Sequence, residues 1–232
     1  MKYLLLILLT AYIYAIDIEK KVNKINTNVV SKKITVQGKK ARFRALFVPP
    51  IQKVHREWMQ RYLQVFKDIK ENKNREKVED LKQRFKANSD NDLLIRLKPH
   101  PVSIVLAQAA MESSWGTSRF FREAKNPFGI WSLNPNEPRI AAGKKRGKRT
   151  IWLKKFNSLD EAIRAYYKTM ATGRAYKKFR QLRLKHDDPF KITPGLDKYS
   201  EIGQAYIKKI NQLIRYNKFI KHDKYAQYEE NK

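Results

Sequence analysis

The chain contains no cysteine. That excludes a disulfide scaffold, a lipid-modified cysteine, a cysteine nucleophile and any thiolate zinc site, so core packing has to hold the fold together. The four histidines (His55, His100, His186, His222) are scattered without metal-ligand spacing. No metal and no cofactor is therefore expected. There is no serine elbow, no Gly-rich phosphate cradle and no finger or glycine-flanked aromatic strand for nucleic acid. Acidic residues are scarce as well. Against 51 Lys and Arg stand 22 Asp and Glu, a net charge of +29 over 232 residues. Such an excess asks for an anionic partner, and wall polymer or an anionic envelope surface fits an exported chain better than nucleic acid does.

A long apolar run is missing too. Met1 to Ala15 carries one Lys, an apolar stretch from Tyr3 to Tyr14 and a small residue at a plausible cut, too short for the ~20 residues of a comfortable span. It reads as a secretory signal with Asp17, Glu19, Lys20 and Lys21 just beyond. The expected location is the periplasm or cell envelope, with an uncleaved N-terminal anchor as the alternative.

A hydrophobic content of 42% is enough for one packed domain. Residues 16–40 form a basic linker or arm, 41–217 the domain, and 218–232 a tail. Pro49-Pro50 precede a long helix with Ile51, Val54, Trp58, Tyr62, Val65 and Ile69 on one face. Val78, Leu81 and Phe85 mark a second helix, and Ser89-Asp90-Asn91 caps a third. Pro99 and Pro101 lead into an apolar helix from Val102 to about Trp115, and a short one runs from Ser118 into Glu123. After the turn Asn126-Pro-Phe-Gly129, Ile130-Trp131 and Ile151-Trp152-Leu153 read as strands around a basic excursion. Ser158 and Glu161 form a capping box for the next helix. A final helix carries Ile202, Tyr206, Ile210, Leu213 and Ile214. The class is mainly α, with one small β-hairpin.

Chemistry concentrates in Leu106–Gly116. Val105, Gln108, Glu112 and Trp115 recur at helical steps and share a face. Apolar neighbours would raise the pKa of Glu112 and keep it protonated as a general acid. The residues equally allow a helix-end carboxylate that reaches solvent or pairs with Arg119.

The run Ala-Gln-Ala-Ala-Met-Glu112-Ser-Ser-Trp-Gly-Thr-Ser-Arg-Phe, followed by Lys-Asn126-Pro-Phe-Gly-Ile-Trp, resembles the bacterial glucosaminidase family of cell-wall hydrolases (glycoside hydrolase family 73 type), above all its Bax-type envelope proteins. The likeness spans about 41–217. It implies a lysozyme-like helical fold that cleaves peptidoglycan between N-acetylglucosamine and N-acetylmuramic acid. It further implies Glu112 as the catalytic acid and Tyr199 in the active-site groove. Gln108, Trp115, Asn126, Phe128 and Glu137 are the candidate substrate-binding positions, with Gly129 in the same turn. Family members often carry a second glutamate on the hairpin. Here residues 125–159 offer only Glu137, between prolines in an exposed turn, besides Asp160 and Glu161 beyond them at a helix start. The second group is thus Glu137, the substrate's acetamido group or water held by Tyr199. Eight basic and no acidic residues from Arg139 to Lys155 suit either an anionic glycan or a solvated hairpin. A lytic transglycosylase using Glu112 twice and a non-catalytic basic wall-binding protein are the competing functions.

Overall fold

A computed structural model describes residues 34–146 and 149–223. The expected signal at 1–15 and most of the basic arm and tail lie outside the described residues. By internal contacts the chain divides into Met1–Lys40 and Ala41–Lys232. The core and the groove belong to the second unit.

Helix α1 covers Val36–Lys70 and runs straight through Pro49 and Pro50, so the helix does not begin after the prolines as the sequence suggests. Each interior proline costs about 3 kcal/mol in lost hydrogen bonding and crowding. Phe43, Phe47, Ile51, Val54 and Trp58 recur at steps of three and four across that break and are all buried. At roughly 1.5–3 kcal/mol for each side chain, that stripe outweighs the prolines. Helices α2 (Arg75–Phe85) and α3 (Asp90–Leu97) follow, the latter capped by Ser89, which accepts from the Asp92 amide.

Helix α4 (Val102–Glu112) is the centre of the fold. Every residue from Val102 to Ala110 is buried, as an all-round apolar helix requires. Short α5 (Arg119–Ala124) leads to the hairpin of β1 (Arg139–Arg146) and β2 (Arg149–Lys154), antiparallel with Ile140 opposite Leu153. The second strand falls where the sequence places it. The first lies inside the basic excursion, because Pro135 and Pro138 break the chain after Trp131, which keeps only a single bridge to Leu153.

Helix α6 (Leu159–Thr172) starts on its capping box: Ser158 accepts from the Glu161 amide, and Glu161 accepts from the amide of Asn157. Helices α7 (Lys177–Lys185) and α8 (Pro189–Ile192) carry no clear apolar stripe in the sequence, because α7 buries arginines. Arg180 donates to the carbonyls of Met170 and Gly173, and Arg183 to that of Ile95, closing the C-terminal ends of α6 and α3. Helix α9 (Gln204–Tyr216) excludes Ile202, which stays 47% exposed in the preceding turn. Residues 218–223 are not loose. Phe219 is fully buried, and Asp223 accepts from the Ser103 amide at the start of α4. Of the described helices none is long and apolar enough to cross a membrane.

Candidate active site

Glu112 ends α4, where the negative end of the helix dipole already disfavours a negative charge. The chain then turns sharply through Ser114, Trp115 and Gly116, all at positive φ (51°, 64° and 75°). Two consecutive side-chain-bearing residues in that region cost of order 1–3 kcal/mol each. Ser113 holds the turn by donating to Ala109 O and accepting from the Gly116 amide.

Beyond the turn lies a groove of about 700 Å³. Glu112, Phe128, Trp131, Tyr176, Tyr199 and Glu201 are among its lining. Glu112 counts as exposed by surface area because it faces the groove. On its other sides protein atoms strip its hydration, and that burial raises its pKa from that of an ordinary glutamate. One hydrogen bond opposes the shift: the Tyr206 hydroxyl donates to Oε1 at 3.0 Å. Arg119, the alternative partner, instead bonds Glu123 and the carbonyl of Ala141.

A wall of tyrosines stands beside the carboxylate. Tyr199 is half-buried and stacks on Tyr206 (5.2 Å between centroids), with Tyr176 5.8 Å from Tyr199. Burial, then the neighbouring Tyr206 and Glu112, pushes Tyr199 well above an ordinary phenol, so it stays a neutral donor. Phe128 lines the groove and stacks on Tyr166 at 4.2 Å. Glu112, Tyr199 and Phe128, singled out by sequence, therefore meet in one place.

The other expected contacts do not. Gln108 is fully buried beneath the groove, bonded to Tyr206 and Tyr166. Trp115 turns away to pack on Phe43 and Phe219. Asn126 clamps its turn, with Nδ2 donating to the carbonyls of Ile130 and Lys154 and Oδ1 accepting from the Ile130 amide, each at 2.9 Å. Glu137 pairs with Lys154 at 2.8 Å and is not among the groove's lining. The hydrogen bond from Lys154, then that from Ser132, holds its pKa below the usual value.

Sequence reasoning missed Tyr206, Tyr176 and Glu201. Tyr206 sits in the apolar stripe of α9 and looks like any core aromatic. Glu201 lies far along the chain from the hairpin, in the turn before α9. Trp131 and Leu133, 51% and 88% exposed on the groove, could have been found as large apolar residues flanking a proline-rich loop.

The family described as mannosyl-glycoprotein endo-beta-N-acetylglucosaminidase matches residues 92–219, a span that includes Glu112, Tyr199 and Tyr206. The chain belongs to the glucosaminidase family. Among the described residues its fold is mainly helical with a single hairpin. Protein bax of Escherichia coli K12 is 32% identical over 146 residues, covering 57% of this chain and 51% of its own. The chain spans about half the length of that relative. Among solved structures, the catalytic domain of the autolysin Auto from Listeria monocytogenes superposes with a TM-score of 0.52 at 17% identity, over 88% of this chain and 97% of its own. A peptidoglycan hydrolase from Sphingomonas sp. A1 reaches 0.43 at 18% identity, over 64% and 88%. Among the described residues there is no group of three or more His, Asp or Glu side chains placed to hold a metal ion.

Proposed function

We propose that this glucosaminidase is an exported peptidoglycan hydrolase, which cleaves the glycosidic bond between N-acetylglucosamine and N-acetylmuramic acid with Glu112 as general acid. The observation that carries the reading is the Glu112 carboxyl on the groove, its pKa raised by burial and one oxygen held by Tyr206. A carboxyl that keeps its proton to higher pH than an ordinary glutamate can protonate a leaving oxygen as the C1–O bond breaks. As the proton departs, Tyr206 is already aimed at the carboxylate that forms.

Water then adds to C1. Among the described residues, Glu112 and Glu201 are the carboxylates that line the groove. Glu201 takes the proton of that water, and Tyr199 orients the acetamido side of the sugar. Trp131 and Leu133 offer exposed apolar surface on which a sugar face can lie. A wall polymer as substrate is supported by the fold shared with an autolysin and by a net charge of +29. Cleavage of the Met1–Ala15 segment would deliver the enzyme to the periplasm or envelope.

The test is digestion of purified peptidoglycan by the full chain, with mass spectrometry of the fragments after borohydride reduction. New ends should be reduced N-acetylglucosamine, and Glu112→Gln should give none while keeping its circular dichroism spectrum. Muramic or anhydromuramic ends would overturn the assigned bond or reaction, and a fully active Glu112→Gln the assigned acid.

A further inference from the structure

An unbroken line of hydrogen bonds runs through the interior to Glu112, threading α7, α6, α4 and α9. Its direction can be worked out from one end. Arg183 Nη1 lies 3.5 Å from His100 Nδ1, and a guanidinium has donors only, so Nδ1 accepts. His100 is fully buried, and that burial, then the Arg183 charge, holds its pKa well below the usual value. The ring is therefore neutral and its single proton sits on Nε2, 2.9 Å from the Tyr166 oxygen, to which it donates. The Tyr166 hydroxyl in turn donates to Gln108 Oε1. That fixes the amide of Gln108 with Nε2 towards Tyr206, donating at 3.1 Å. The remaining proton of Tyr206 points to Glu112 Oε1, 3.0 Å away.

We infer that His100, Tyr166 and Gln108 are positioning residues for the glycosidase reaction: their one-way chain aims the Tyr206 hydroxyl at Glu112 and leaves Oε1 an acceptor, so that the transferable proton sits on Oε2. The inference rests on Glu112 being the acid. The opposite orientation would defeat catalysis. If the Gln108 amide were flipped, Tyr206 would donate to Gln108 and turn a lone pair towards Glu112. The carboxyl proton would then be drawn to Oε1 and into the interior, and the departing proton would leave a carboxylate without a donor. Chains of this kind also polarise their members, so a distant link affects the last bond.

The test measures kcat and KM across pH on solubilised glycan strands, together with the carboxyl 13C titration of Glu112 in the full chain. Tyr206→Phe removes a hydrogen bond to a charged group, so kcat should fall roughly ten- to a hundredfold with KM nearly unchanged. The basic limb and the Glu112 titration should both move to higher pH, because the carboxylate has lost its donor. Tyr166→Phe keeps the ring that packs on Phe128 and lies three hydrogen bonds from Glu112. It should show the same signature at a smaller size, about three- to tenfold in kcat. His100→Asn breaks the chain one link earlier and gives the same reading should Tyr166→Phe fold poorly. A Tyr166→Phe enzyme with an unmoved limb and an unmoved Glu112 titration would overturn the inference, as would a loss confined to KM. An active Glu112→Gln would instead remove the acid itself, a separate failure.

Discussion

Above the pKa of Glu112 the groove holds a carboxylate that has no proton to give. Burial raises that pKa, so the proton is kept to higher pH than in an ordinary glutamate. The rate should therefore fall as pH rises through the raised value, at higher pH than an ordinary glutamate would set; a pH profile of kcat checks this. A rate that is already falling across the usual carboxylate range would mean the site does not hold the proton. The second carboxylate gives a sharper contrast. Glu137 is tied to Lys154 at 2.8 Å and its pKa is depressed, which makes it a weak base away from the groove. Glu137→Gln should cost less than about tenfold in kcat, and Glu201→Gln roughly a hundred- to ten-thousandfold, the range of general base catalysis. The two variants, assayed on the same peptidoglycan, decide between them, and equal losses would return the role to the substrate's acetamido group. At this scale the sequence disclosed Glu112, Tyr199 and Phe128, since their neighbours in the chain form a recognisable run. It could not disclose Gln108 as a buried link, because a polar side chain on a helix face looks the same whether it meets a ligand or another side chain. Glu201 was hidden for the opposite reason: its place in the groove depends on how the turn before α9 folds back.

Elements were legible wherever side-chain burial repeats at helical spacing. The stripes of α1, α4, α6 and α9 gave their helices, and Ser89, Ser118 and Ser158 marked three starts correctly. The segment between α6 and α9 was not legible, because its interior is built from polar groups and close backbone contact. Arg180 and Arg183 cap other helices from within α7. Gly195, in the turn Thr193–Leu196 that leads to Tyr199, has no room for a side chain: an added Cβ would stand 2.3 Å from Phe179 Cα and 2.6 Å from its nitrogen. Backbone atoms cannot swing aside as a flexible side chain can. Gly195→Ala should therefore lower stability by at least the ~1–3 kcal/mol of an overpacked core. It should also reduce activity, since the displaced turn leads directly to Tyr199. Urea unfolding and turnover on glycan strands measure the two effects, and an unaffected variant would show that α7 and the turn can part at little cost.

Among the described residues many of the acidic side chains are paired with Lys or Arg. Asp90 is shared by Arg75 and Lys82, Glu57 and Asp160 by Arg164, and Asp160 also by Lys53. With 22 acidic against 51 basic residues, such pairing leaves the surplus of +29 directed at whatever the protein meets. A surplus this large acts at a distance, but only over the Debye length of about 8 Å at physiological ionic strength and roughly 3 Å in 1 M salt. Contacts between sugars and the groove aromatics are short-range and hardly feel that change. The two contributions therefore separate in one experiment. Co-sedimentation of the Glu112→Gln chain with peptidoglycan over a salt series should show binding that weakens steeply, while turnover of short, uncharged chitin oligomers by the native enzyme stays nearly constant. Steep loss in the first and constancy in the second would place attraction on the surface charge and recognition in the groove. A flat sedimentation curve would mean that sugar contacts alone hold the wall, and that the basic excess serves another partner.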